Sequence, residues 1–188
     1  NIQQTNDKIE FSNFCSKHDL PYPKMLKEIS NSDYPLIVKP SDCFSGVGVS
    51  VVNHPEKLSR AFAWAQRCSP TNKAIAQPFI SGQLFSASVF YNNGRVRYFV
   101  VKENSHIDPF SVDESYVVQL PKGTDQILQD LFAKIFRVLG KHQKFFHTQF
   151  ILKDSKIFLI ELMLRCPGDL YGRLVELSTN FDYFGNYI

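Results

Sequence analysis

The chain has 188 residues, 44% of them hydrophobic and 14% aromatic, which is enough apolar material for one globular unit with a sizeable core. Its net charge of +3 is spread over interspersed Lys, Arg, Asp and Glu, without the basic block that nucleic acid attracts or an acidic tail. No apolar run reaches the roughly 20 residues of a membrane span, and four cysteines without C-x-x-C spacing indicate neither a zinc site nor a disulfide framework, so reduced thiols in a cytoplasmic setting are expected.

Asn6 can cap a first helix whose apolar face is Phe11, Phe14 and Cys15, and Leu20-Pro21-Tyr22-Pro23 ends it. Strands are predicted at about 35–39 and 48–53, flanking a serine- and glycine-bearing loop. Pro55 suits the first turn of a second helix, with Leu58, Ala61, Phe62 and Ala65 on one stripe. Residues 74–80 read as a strand or extended linker that breaks at Ser81-Gly82. Asn93-Gly94 is a strong hairpin signal between strands at about 84–91 and 95–102. The stretch from Glu103 to Glu114 is polar and irregular, and a short strand is predicted near 116–120. Thr124 then caps a long helix with Ile127, Leu128, Leu131, Phe132, Ile135 and Leu139 inward. Strands at about 145–152 and 157–163 bracket Asp154-Ser155-Lys156, and a last helix spans about 170–178. Antiparallel hairpins mixed with packed helices define an α+β fold class.

The segment from Tyr34 to Val52 carries the clearest chemistry. Alternation puts Val38 and Pro40 on one side of a strand and Lys39 on the other. The following loop offers the hydroxyls of Ser41 and Ser45, while Gly46 and Gly48 allow backbone N–H groups to approach an anion. An ammonium beside a nest of N–H groups suits a triphosphate. The glycine spacing is not that of a Walker A loop. Taken alone, the residues are equally compatible with an ordinary β-hairpin and a flexible tip. Glu161, set among apolar residues, needs a cation or a donor if buried, either a metal or Arg165. His147 reads as structural, and Cys43 and Cys166 as packing residues without a base partner.

Four pieces in order resemble the ATP-grasp superfamily, in its carbamoyl-phosphate-synthetase-like carboxylate–amine ligase form. They are Asp7-Lys8 with Leu20-Pro21-Tyr22-Pro23, the run Pro35 to Val49, the hinge-like Gln77-Pro78-Phe79-Ile80-Ser81-Gly82, and His147-Thr148-Gln149-Phe150 with Ile160 to Asp169. The resemblance implies two α+β lobes with antiparallel sheets clamping ATP, a lid lobe over about 21–80 and a core lobe over about 81–188. It implies phosphate contacts from Lys8, Lys39 and the Ser41–Gly48 loop, which holds Ser45 and Gly46, and adenine contacts along Gln77, Pro78, Phe79 and Ile80. Gln149 and Glu161 would hold Mg²⁺, and Arg165 would meet the transferred phosphoryl group or the acyl substrate. A small carboxylate and an amine would be the substrates. The chain would be a fragment lacking a preceding α/β domain of the same protein.

Three positions depart from the family pattern, of which Gln77, in place of a common hinge glutamate, matters least because backbone groups would read adenine there. Leu84 stands where the family has an acidic acceptor for the ribose hydroxyls, and Met163 where it has an asparagine metal ligand; neither side chain can take that role for a hydrogen bond or a hard cation. A degenerate module that binds nucleotide in a regulatory or assembly role is therefore the rival expectation. Register decides whether a metal pair can form. A three-residue loop over Asp154-Ser155-Lys156 sets Gln149 opposite Glu161, whereas a two-residue turn sets Gln149 opposite Ile160 and puts Glu161 on the other face. The three-residue loop is expected.

Overall fold

Two hairpins and the helices between them set the architecture. The computed structural model describes residues 7–106, 109–140 and 142–188. In chain order the elements are α1 (Lys8–Lys17), β1 (Leu36–Pro40), β2 (Ser50–Val52), α2 (Leu58–Cys68), β3 (Ala74–Pro78), β4 (Gln83–Asn92), β5 (Arg95–Asn104), β6 (Glu114–Val117), α3 (Thr124–Leu139), β7 (Phe145–Lys153), β8 (Lys156–Met163), α4 (Tyr171–Thr179) and α5 (Tyr183–Tyr187). A small sheet runs β2-β1-β3 and a larger one β6-β5-β4-β7-β8, and every strand pair is antiparallel.

Each sheet has its own core. Leu36, Val38, Val52 and Ala76 of the small sheet pack against Ala61 and Ala65 of α2. One face of the large sheet carries Phe85, Ala87, Val89, Phe146, Phe150, Leu159 and Leu162, covered by α3 and by Phe11 and Cys15 of α1. Burying each of the Phe, Leu and Val side chains among them stabilises the fold by about 1.5–3 kcal/mol. On the other face, α4 and α5 are anchored through buried tyrosines. The Tyr171 hydroxyl accepts from the Ser88 N–H at 3.1 Å and donates to the Phe99 carbonyl at 2.6 Å, and the Tyr183 hydroxyl lies 2.6 Å from Ser88 Oγ.

Asn93 and Gly94 both adopt positive φ in the tight β4–β5 turn, so Asn92 pairs with Arg95. The β7–β8 turn corrects one expectation. It is the two-residue form, with Asp154 and Ser155 both at positive φ and Lys153 paired with Lys156. Gln149 nevertheless pairs with Glu161, because the register shifts at a β-bulge between Gln149/Phe150 and their partners, where Ile160 is the extra residue. The bulge has a physical reason: unbroken alternation from Leu159 would carry Glu161 into the apolar core and Leu162 out of it. With it, Leu159 and Leu162 are both fully buried while Glu161 faces the cleft.

Smaller corrections follow from packing. Asp7, not Asn6, caps α1, accepting from the N–H groups of Ile9 and Glu10; Asn6 lies outside the described residues. Thr124 is the first residue of α3 rather than its cap, which is Gly123 in a left-handed conformation. Ile127 is 45% exposed rather than inward. β6 sits a little earlier than expected; the helix expected over about 170–178 is α4, and a further short helix, α5, follows its cap at Asn180.

Candidate functional site

A cleft of about 1270 Å³ opens between the two sheets. From the small sheet, alternation along β1 sends Ile37 and Lys39 into it while Leu36 and Val38 enter the core. Lys39 is only 5% exposed, and among the described residues its ammonium has no hydrogen bond or ion pair. Burial, together with the neighbouring Lys8 charge, lowers its pKa to about 7, against a smaller opposing pull from Glu161. Lys8 leaves the first turn of α1, where its ammonium donates to the Cys43 carbonyl and its backbone N–H donates to the Ser41 carbonyl at 2.7 Å. Burial lowers its pKa too, opposed chiefly by Glu161.

The loop after β1 is firmly held at its base. Asp42 accepts from Ser69 Oγ, Thr71 Oγ1 and the Thr71 N–H, and Cys43 Sγ donates to the Cys68 carbonyl at 2.7 Å. Its tip is Phe44 to Val47, with Phe44 83% exposed. Ser45 and Gly46 line the cleft. Gly46 has φ +71 and sits so close to Phe110 that a Cβ there would lie 2.4 Å from the Phe110 carbonyl oxygen. Ser41 and Gly48, both expected among the anion contacts, are not in the lining. Ser41 is fully buried with its Oγ unpartnered, and Gly48 is pressed against Pro40 and Cys68. Both therefore shape the loop from behind.

Gln77, Pro78, Phe79 and Ile80 line the cleft where the chain passes from the small sheet to β4. The Gln77 side chain is committed to the fold, donating to the Pro23 carbonyl at 2.6 Å. The Phe79 N–H donates to the Pro35 carbonyl at 3.0 Å, whereas the Ile80 N–H has no hydrogen-bond partner among the described residues.

The floor comes from the large sheet. Gln149, Glu161, Met163 and Arg165 all line the cleft, with Leu84 beside them. Burial raises the Glu161 pKa, against the pull of Lys8, Lys39 and Arg165 around it. None of these cations is within ion-pair distance of it, and Arg165 instead donates to the Cys166 carbonyl at 2.9 Å. The structural ion pair considered from sequence is thus absent among the described residues. His147 is buried and neutral, its pKa lowered to about 3 by burial and by Arg165, with Nδ1 2.9 Å from Ser88 Oγ.

Glu103 is the residue that sequence reading missed. It was placed in an irregular stretch, yet β5 extends through Asn104, and Glu103 lines the cleft while accepting from Gln149 Nε2 at 2.7 Å. Burial raises its pKa, opposed in part by that hydrogen bond and reinforced by Asp169 and Glu161. The signal was available: counting outward from the Asn93-Gly94 turn sets Glu103 one step beyond the Phe85–Lys102 pair, next to Leu84.

The donor set bears on a metal. Among the described residues no group of three or more His, Cys, Asp or Glu could hold one. Glu161 and the amide oxygen of Gln149 are hard donors on facing strands, and Mg²⁺ commonly takes only one or two carboxylates and completes its shell with phosphates and water. The residues fit Mg²⁺ in that shared mode; Met163 adds no ligand.

The cleft thus lies between two antiparallel sheets, with buried cations opposite a carboxylate. The ATP-grasp domain family matches residues 5–168, and the chain belongs to that family. It is 22% identical to the carbamoyl phosphate synthase large chain of Sulfurisphaera tokodaii, over 95% of this chain and 18% of that protein. It is 26% identical to the D-alanine–D-alanine ligase of Chlorobaculum tepidum, over 67% of this chain and 36% of that one. The chain thus spans well under half the length of these curated relatives. The fold is similar to that of the L-amino acid ligase from Bacillus licheniformis (TM-score 0.75, 22% identity, 96% of this chain and 46% of that one). It is also similar to biotin carboxylase from Campylobacter jejuni (TM-score 0.80, 16% identity, 98% of this chain and 45% of that one). The α+β architecture is the ATP-grasp fold. No helix among the described residues is long and apolar enough to cross a membrane.

Proposed function

We propose that the chain is the ATP-binding module of a ligase that joins a carboxylate to an amine through an acyl phosphate. The observation that carries this reading is Lys39, a buried ammonium with no partner among the described residues, facing the Glu161–Arg165 floor. Burying a cation without a partner is expensive, and an arriving phosphate removes that cost. Lys39 and Lys8 hold the β- and γ-phosphates, and the N–H groups around Ser45 and Gly46 close over them. The free N–H of Ile80, with the flanking backbone of Gln77, Pro78 and Phe79, receives adenine. Glu161, with Gln149 oriented by Glu103, would hold Mg²⁺, which would supply charge neutralisation at the phosphates. Arg165 positions the carboxylate that attacks the γ-phosphorus as ADP leaves. An amine then attacks the acyl carbon and inorganic phosphate leaves. Phosphoryl transfer asks mainly for this positioning and neutralisation. Similarity to proteins named as ligases supports the class.

A degenerate module that binds ATP without turnover is the second reading, and it is favoured by Leu84 and Met163, which both line the cleft where family members carry polar ligands. Phosphate release from ATP across a screen of carboxylates and amines separates the two. Turnover with any pair supports the ligase, and nucleotide binding without turnover on every pair supports the degenerate module. The proposal extends to a small carboxylate and an amine as substrates, a cytoplasmic location and an α/β domain that helps build the substrate site.

A further inference from the structure

Helix α4 carries apolar residues on two sides, one packed on the large sheet and the other turned to the cleft. Tyr171 and Val175 are buried against the large sheet. Leu170, which caps the helix, and Leu174 and Leu177 within it form one stripe that lines the cleft; Leu174 is partly buried against that same core, whereas Leu170 and Leu177 are 80% and 68% exposed. Core packing does not explain leucines that face open space. Phe44 and Val112 are likewise exposed and apolar in the same lining.

Two observations point to a small ligand here. The cleft, at about 1270 Å³, exceeds the roughly 300–1,000 Å³ of pockets that hold a single ligand, which leaves room for a second molecule beside a nucleotide. The stripe also lines the same cleft as Lys39 and Arg165. Arg165 is exposed and among the described residues commits a single donor, to the Cys166 carbonyl, so most of its guanidinium is free to take a carboxylate.

We propose that this end of the cleft binds a carboxylic acid with an apolar body, its carboxylate toward Arg165 and its hydrocarbon against the Leu170–Leu174–Leu177 stripe. The proposal rests on the ligase reading above and adds to it the class of acyl substrate. An acid too short to reach the stripe gains nothing from it, whereas a branched or aromatic body buries against two or three leucines.

The test uses the full chain with a non-hydrolysable ATP analogue and Mg²⁺, and proceeds in two measurements. First, the analogue alone must raise the melting temperature. Second, saturation-transfer NMR, which detects weak binding, compares acetate, 4-methylpentanoate and 3-phenylpropionate in the presence of the analogue. The two apolar acids are expected to bind at least about tenfold more tightly than acetate. The double variant Leu170→Glu/Leu177→Glu, altered at exposed positions, is expected to lose that preference while keeping the nucleotide-induced shift. Equal binding of all three acids, or a variant that keeps the preference, overturns the proposal and leaves the nucleotide site standing. A missing nucleotide shift in the parent chain overturns the ligase reading and this inference together. A parent dimer that the variant dissociates assigns the stripe to a contact between copies and likewise overturns the proposal.

Discussion

Replacing Lys39 by methionine should stabilise the protein while removing nucleotide binding. The side chains are similar in length, and the Lys39 side chain is already buried, so packing is largely retained. The lowering of its pKa from 10.5 to about 7 corresponds to roughly 5 kcal/mol against the charged form. Water in the cleft and relaxation of the variant reduce the realised gain, which is expected at about 1–3 kcal/mol. At about 2–4 °C per kcal/mol for a chain of this size, the melting temperature should rise by roughly 2–12 °C. The sign of the pH dependence follows from proton counting. Between about pH 7 and pH 10.5 the unfolded chain binds more protons at this lysine than the folded one, so parent stability rises with pH there. The advantage of Lys39→Met is therefore complete below about pH 7 and fades as pH approaches 10.5. Thermal melts of both proteins across this range, with and without ATP and Mg²⁺, measure both effects. For the parent, nucleotide at about a hundred times its Kd adds about 2.7 kcal/mol, and the variant should show little of it. A variant that is less stable than the parent at neutral pH and still shifts with ATP refutes the reasoning, since Lys39 would then be a structural residue.

Other perturbations test neighbouring parts of the site. Lys8→Ala should weaken the ATP-induced shift less than Lys39→Ala does, because Lys8 is engaged with the Cys43 carbonyl and less deeply set; equal losses would contradict this. In hydrogen exchange without nucleotide, the tip from Phe44 to Val47 should exchange faster than Thr71, whose N–H is bonded to Asp42, and ATP should protect the tip; a tip already protected without nucleotide would remove its role as a lid. Deleting Ile160 removes only the extra residue of the bulge, so Gln149 should remain opposite Glu161 and the Mg²⁺ dependence of the nucleotide shift should survive; a folded deletion variant without that dependence would count against the bulge account.

The sequence by itself determined whatever depends on neighbours along the chain. Asn93-Gly94 dictated a tight turn and with it the register of β4 and β5, since few residue pairs tolerate two positive φ angles in succession. Alternation in β1 was enough to separate Lys39 from Val38, because a strand has only two faces and the apolar one seeks the core. The leucine, alanine and phenylalanine spacing of α2 placed its stripe in the same way. Only the tertiary structure decided what depends on contacts between distant segments. Alternation cannot foresee an extra residue, and the bulge at Ile160 exists because the core accepts Leu159 and Leu162 but not the charge of Glu161. Glu103 became part of the floor because β5 continues alongside β4 and meets Gln149, which lies 46 residues away in sequence. Ser41 and Gly48 turned away from the cleft because the base of the loop is tied to the end of α2, where Cys43 Sγ meets the Cys68 carbonyl and Gly48 packs on Cys68. Local pattern sets which face of an element is apolar, and the burial of charge against a partner that folding brings near sets where that face finally points.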